Sequence, residues 1–467
     1  MEAPRAKTCL TLLATLFVAV ACGDSPTGVG DLPADIQPML NVADGAELCG
    51  TQYPNASTWY VKSGALAAVA TGDKGQPFAS LADAEAASGP GDAIVVLHVP
   101  AERAALDGGI TLKDCQKLLG TFPSTTIASP EATRSKITNG AGDAVVLADY
   151  NEVAGLHIES PGRHAIVATN ATGADIHDNL ITGWNQLELD DVPFFGFPFS
   201  RAGVMLDTDA GVNEIYISDN VMRDASSTAI AVRASGGGSE ALAEVHGNVI
   251  DNIDGSGVFF GGRTPAILGT SWDGATVNLT VANTTVDNIA NRSDGIAALA
   301  CRGSTSTGCS GAGSGGEMNL VVRHYSYRDT DGVSTNNSNG LETVTIPGAR
   351  TTLLMEYSDI IGAFGFGLDP FNFLGKPTAD IIDLGGGALG SVGQNRIFGN
   401  GVGGTRANLF LFNADVVAEN NWWGTPDGLQ LDCPFPIAPD GSSCAFIDIA
   451  GINTLDFEPF LTEDPRP

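Results

Sequence analysis

The chain has 467 residues, 43% of them apolar, with 59 glycines and 54 acidic against 23 basic side chains, for a net charge of −31. The apolar content excludes wholesale disorder, and the charge excludes a phosphate backbone as partner, so nucleic-acid binding is set aside. Gly and Pro break most helical windows, and short apolar runs between tight turns point to an all-β chain. The acidity is read first as solubility, with calcium capture and avoidance of anionic surfaces as the other readings.

Residues 1–21 read as an export signal: Arg5 and Lys7 precede Leu10 to Ala21, an apolar run too short to span a bilayer. Ala19-Val20-Ala21-Cys22 resembles a bacterial lipoprotein signal, with Ala19 where such signals usually carry Leu. The resemblance implies lipidation of Cys22 and an exported protein, at the outer membrane or cell surface, that touches membrane only through lipid. An ordinary secretory signal with an incidental cysteine is the alternative. Residues 22–57, rich in Gly, Pro, Asp and Ala, read as a tether. Beyond the signal stand Cys49, Cys115, Cys301, Cys309, Cys433 and Cys444, an even set that suits an oxidising compartment. Cys301–Cys309 and Cys433–Cys444 are close in sequence, and Cys49–Cys115 would tie the N-terminal segment to the body. Zinc is the rival reading, but no Cys-x-x-Cys or His pair at ligand spacing occurs.

The body begins at Trp59-Tyr60-Val61. Then come Gln76-Pro77-Phe78, a short helical stretch to Ala87, Gly91-Asp92, and the strand Ala93 to Leu97. This opening resembles that of the pectate-lyase-like β-helix proteins, in which such a helix caps the first coil. Two ladders follow. One runs through Ala165-Ile166-Val167, Gly203 to Leu206, Ala229 to Val232, Gly257 to Phe260, Gly295 to Ala298 and Gly367-Leu368. The other repeats Asn179-Leu180-Ile181, Asn220-Val221-Met222 and Asn248-Val249-Ile250, and continues at Ser358 to Ile361 and Asn395 to Phe398. The offset between ladders is the same from Asn220 to Ala229 as from Asn248 to Gly257. A repeat that cannot bury its own apolar face must stack on neighbours, so the expectation is a right-handed parallel β-helix. Asn is expected at its corners, tolerating left-handed backbone and bonding along the stack. A β-propeller, the runner-up, would repeat at constant length. Asn420-Asn421-Trp422-Trp423-Gly424 and Leu455 to Thr462 resemble the end of secreted bacterial β-helix proteins. The expected domain is residues 58–467, with a cap region at 58–105 and a closing segment at 415–467, as a monomer.

The resemblance implies a polysaccharide partner along an exposed strand face. In lyases of this type calcium sits on acidic clusters and an Arg or Lys takes the proton; hydrolases use paired carboxylates. Asp207 and Asp209 follow one strand, Arg201 precedes it, and ladder alignment sets Arg233 one coil beyond Asp207. A lyase needs these four in one groove, with calcium as its cofactor; an exposed ion pair is the plainer reading. The insertion at 184–200 offers Trp184, Phe194, Phe195, Phe197 and Phe199 as rings for stacking on sugars, or for packing the loop. Asp329-Thr330-Asp331-Gly332 partly echoes polygalacturonase-type hydrolases, whose Gly-His-Gly and Arg-Ile-Lys are absent. With no complete catalytic set, a noncatalytic polysaccharide-binding, adhesive or structural protein is expected ahead of a lyase or hydrolase acting on an anionic polysaccharide.

Overall fold

A short strand leaves its backbone edges open, so each apolar run in this chain pairs with its equivalent one coil away. The computed structural model describes residues 42–99, 105–121, 133–186, 201–254, 264–290, 294–303, 309, 313–329, 338–372, 375, 380–401, 408–429, 445–447 and 453–466. Across these the strands form three parallel sheets of thirteen, ten and eleven strands. A coil visits the first sheet (as at Ala174–His177), the second (Leu180–Thr182) and the third (Ala202–Thr208), then returns to the first at Val212–Ser218. Parallel strands joined by such crossovers wind right-handed, so the chain is a right-handed parallel β-helix. Its core is made of columns such as Ile176–Ile217–Val245–Val281–Val322–Met355, every member at most 1% exposed.

The corner between the first and second sheets is built differently from the expectation. The left-handed residue is the one before the inward-pointing corner residue: Asp178, Asp219, Gly247, Gln394 and Asn420 precede asparagines, Asn283, His324 and Tyr357 precede Thr284, Tyr325 and Ser358, and all have positive φ. The asparagines point inward and bond to one another. Asn179 Nδ2 donates to Asn220 Oδ1 and Asn220 Nδ2 to Asn248 Oδ1, each at 3.1 Å. Asn395 repeats the bond to Asn421 at 2.9 Å. A buried amide side chain must satisfy donors and acceptor together, and stacking along the helix axis does so.

The third-sheet ladder also needs one correction. Ile230 pairs with Ile267, so the rung after Ala229 to Val232 is Ile267–Trp272 and not Gly257 to Phe260. That latter run lies outside the described residues. The equal offset was a coincidence of loop length, and between Gly295 and Gly367 a further rung, Leu341–Thr345, intervenes.

The ends are closed as the cap and tail motifs require. Helix α2 (Leu81–Ala87), N-capped by Ser80, buries Leu81 and Ala84 over the first coil. At the other end Trp423 is fully buried, and Phe457 and Phe460 pack on the core. Part of the segment read as a tether is folded: helix α1 (Val42–Gln52) is joined to the body by the Cys49–Cys115 disulfide. Cys301–Cys309 also forms. Cys433, Cys444 and Cys22 lie outside the described residues.

Candidate functional site on the outer face of the third sheet

Side chains alternate inward and outward along each strand, so the third sheet presents two outward columns. One runs Thr169–Asp207–Arg233–Thr270–Leu299–Val344–Phe371–Phe412. The other runs Val167–Met205–Ala231–Leu268–Ala297–Glu342–Asp369. In the middle of the sheet these positions are apolar and covered. Met205, Ala231, Leu268, Ala297 and Leu299 form a second buried cluster with Trp272 and the Cys301–Cys309 bridge.

The expected catalytic group sits at the early end of this face and does not converge. Arg233 holds Asp207 through two hydrogen bonds, Nη2 to Oδ2 at 2.7 Å and Nε to Oδ1 at 3.3 Å. Asp209 Oδ1 instead accepts from the Asn170 amide at 2.6 Å. Arg201 precedes Ala202 at the far end of the same strand, on the order of 20 Å from Asp207 along an extended chain. A guanidinium clamped by a carboxylate is a poor base, and a carboxylate so engaged is a poor calcium ligand. Among the described residues no group of three or more His, Cys, Asp or Glu is arranged to hold a metal.

Trp184 is corrected too. It is fully buried in the main core, and its Nε1 donates to the Ser227 carbonyl at 3.2 Å, so no sugar can stack on it. The indole fills the space beneath Gly203 at the start of the third-sheet strand. Phe194, Phe195, Phe197 and Phe199 lie outside the described residues, as does most of the Asp329 to Gly332 motif.

Further along, the face changes character. Asn339 is a node for three acidic side chains. Its backbone N–H donates to Asp294 Oδ1 at 2.9 Å, and its Nδ2 donates to Asp369 Oδ2 at 2.9 Å and to Glu342 Oε2 at 3.4 Å. Its own Oδ1 accepts from the Phe366 amide at 2.8 Å. Asp294, Asn339, Glu342 and Asp369 are all at most 4% exposed. Glu342 and Asp369 are partners in register on adjacent coils, which sets two carboxylates within reach of one amide.

Phenylalanines rise directly from this node. Leu368 pairs with Leu409, which brings Phe410 beside Asp369 on the next coil. Phe410 stacks on Phe366 with ring centroids 4.5 Å apart and planes 8° apart. Phe371 stacks on Phe412 at 4.8 Å and lies 6.3 Å from Phe410. Phe366 is buried, while Phe371, Phe410 and Phe412 remain partly exposed. Beside them Asp380 accepts the Thr351 N–H at 2.8 Å; burial pushes its carboxyl up to about 6 despite that bond.

Sequence reasoning missed this group because its members lie on separate rungs, far apart in sequence. The available signal was local. Leu368-Asp369-Pro370-Phe371 and Leu409-Phe410-Leu411-Phe412 alternate, with acid or aromatic residues at positions a solvated strand fills with small polar ones.

No family model matches the chain, and no curated protein matches it. Among solved structures it is similar to pectate lyase Pel9A, at 10% identity over 87% of this chain and 78% of that one, with a TM-score of 0.32. It is similar to the GH136 lacto-N-biosidase from Eubacterium ramulus at 11% identity over 88% and 70%, TM-score 0.33. It is also similar to a rhamnogalacturonan lyase at 10% identity over 73% and 87%, TM-score 0.29. The activities in those names belong to those proteins; the fold of this chain rests on its own strand order.

Proposed function

We propose that this is a carbohydrate-binding β-helix protein that takes a neutral saccharide chain on the outer face of the third sheet. Sugar faces stack on Phe371, Phe410 and Phe412, whose coils are held in register by the buried Asn339–Asp369–Glu342 node. The observation that carries the reading is the stack of partly exposed rings set directly on a carboxylate pair, since flat apolar surface beside a few fixed polar groups is what saccharide recognition uses. The charge of −31 and the acidic node argue for neutral over uronate-bearing chains, because like charges oppose association. A lipid on Cys22 would hold a monomeric body at the cell surface and leave this face free.

Hydrolysis is the second reading, favoured by the register pairing of Glu342 with Asp369. Glycoside hydrolysis needs two carboxylates flanking the bond and access for water. Here Asn339 bridges the two and both are buried, which favours binding. Affinity electrophoresis through neutral and acidic polysaccharides tests the proposal. Retardation by a neutral glycan, lost in Phe410→Ala and Phe371→Ala, is the expected result. Retardation unchanged in both variants contradicts it. Release of reducing ends that stops in Glu342→Gln and Asp369→Asn would promote the hydrolase reading.

A further inference from the structure

At the opposite end of the molecule, helix α1 lies across the entry to the first sheet and walls one side of a half-open cavity of about 370 Å³. Its outer wall is α1 and the segment after it, with the Tyr53 ring; its corner is Tyr150 and the Cys49–Cys115 bridge; its floor is Lys117, Glu152 and Asp175. The close approach of the wall depends on two glycines. A Cβ on Gly91 would stand 2.4 Å from Tyr53 Cβ, and one on Gly45 would stand 3.0 Å from the Tyr150 ring.

The floor is a charge chain with one loosely held member. Lys117 Nζ lies 2.6 Å from Glu152 Oε2, and Glu152 Oε1 lies 3.4 Å from His177 Nε2. His177 Nδ1 is 3.0 Å from Asp178 Oδ2. The hydrogen bond with Glu152 raises the imidazole to about 9, so it is a cation at neutral pH, and the same bond lowers Glu152 to about 2. Arg134 donates to the Asp178 carbonyl and faces its charge, so three cations meet three carboxylates, and Asp175 is the one held least closely. The third, Asp175, has one oxygen 4.0 Å from His177 Nε2 and the other, buried Oδ1, without a hydrogen-bond partner. Burial pushes its carboxyl up from the usual value. The neighbours in register on the next two coils are Tyr216 and Glu244, which add no cation.

We propose that this cavity is a binding site for a small organic cation, an ammonium or guanidinium compound. Its charged end pairs with Asp175, and its body lies against Tyr53 and Tyr150. Asp175 is partly exposed at the base of an aromatic-walled cavity with its nearest cation, among the described residues, 4.0 Å away at His177, and a ligand that brings both an N–H and a positive charge matches it. The cavity is at the lower end of the size range for small-molecule sites, which limits the ligand to a single ring or a short chain. The Cys49–Cys115 bridge keeps α1 in place as the wall, so the site exists only in the oxidised protein.

Isothermal titration of the full chain with phenethylammonium and with agmatine, at fixed salt, tests this. Saturable one-to-one binding is expected, weakened by at least about tenfold in the near-isosteric Asp175→Asn variant. Asp207→Asn serves as the control for nonspecific attraction to an acidic protein and should bind as the wild type does. Reduction of the bridge, or the Cys49→Ser/Cys115→Ser double variant, should abolish the heat while circular dichroism of the β-helix persists. No saturable binding of either cation, or equal binding by Asp175→Asn, would overturn the proposal. So would binding that survives loss of the bridge, since the wall would then be dispensable.

Discussion

The outer faces of the first and third sheets run the length of the same solenoid and use polar groups in opposite ways. On the first sheet they bond to one another. Glu240, Asn278, Asn319 and Thr352 form a hydrogen-bonded line from coil to coil. Arg323 meets Glu356 at 2.7 Å, and Arg350 meets Glu317 at 3.1 Å. Asp383 accepts four backbone N–H groups of the loop that follows it. On the third sheet the middle is apolar and covered, and the late coils bury one carboxylate node around Asn339 and set partly exposed rings beside it. A face whose polar groups satisfy each other stabilises the coil stack; a face with rings left partly in water is available to a partner. Asp175, with an oxygen lacking a donor, departs from this pattern on the first sheet.

Breaking the scaffold itself gives the largest expected effect. Asn220→Ala leaves the backbone N–H of Asn179 without its partner in the core, and removes one of two bonds from the Asn179 side-chain amide and the side-chain bond to the Ile176 carbonyl. At roughly 1–3 kcal/mol for the orphaned group, and with the lost bonds added, urea unfolding should show a loss of about 4 kcal/mol. A loss below about 1 kcal/mol would mean that the ladder is not what fixes the corners.

Next in size is the pH response, where two regions titrate in opposite directions. Burial holds His157 and His164 down to about 4. The folded state then binds fewer protons than the unfolded one, so stability is complete above pH 6.5 and falls as pH drops toward 4. The ceiling is about 3 kcal/mol for each. His177, raised to about 9, contributes stability that is complete below pH 6.5 and is lost as pH climbs through 9. Glu152, held near 2, contributes stability that is complete above pH 4.5 and is lost as pH falls through 2. Asp380, raised to about 6, loses its contribution as pH rises from 3.8 to 6, which partly offsets the acid limb. Melting temperature against pH should therefore peak near neutrality. His157→Gln with His164→Gln should flatten the acid side alone, and an unaltered acid limb in that double variant would refute the assignment.

A smaller effect separates the faces most cleanly. Phe412→Ala removes a partly exposed ring and should cost about 1–2 kcal/mol of stability, less than the 3–5 of a buried ring. Saccharide affinity should fall by about tenfold or more in the same variant. The smallest change is Glu244→Gln on the first sheet. Burial raises that carboxyl, so neutralising it should stabilise at pH 8, by only a few tenths of a kcal/mol because the group is half in water. It should leave saccharide binding untouched.

Much of the scaffold was legible because its signals are local. The Ser80-capped helix, the Asn179–Asn220–Asn248 phrase and the Asn421-Trp422-Trp423 turn each fit in a few residues. The candidate site was not, because stacking makes neighbours of residues whose separation in sequence depends on loops of unequal length. Glu342 and Asp369 face each other only once the register is known, and the same uncertainty misplaced the rung at Gly257. Trp184 looked like a platform because composition does not say which side of a sheet a ring occupies. The α1 cavity was half visible: pairing Cys49 with Cys115 was readable, but the helix between tether and body was not, since Gly45 and Gly50 weaken its helical pattern.

Hydrogen–deuterium exchange with and without a neutral oligosaccharide found by affinity electrophoresis tests the central claim most directly. Protection confined to residues 366–371 and 408–412 on the third sheet, with 214–218 and 242–246 on the first sheet unchanged, is the predicted result. Protection on the first sheet with none around Phe371 and Phe410 would contradict the account.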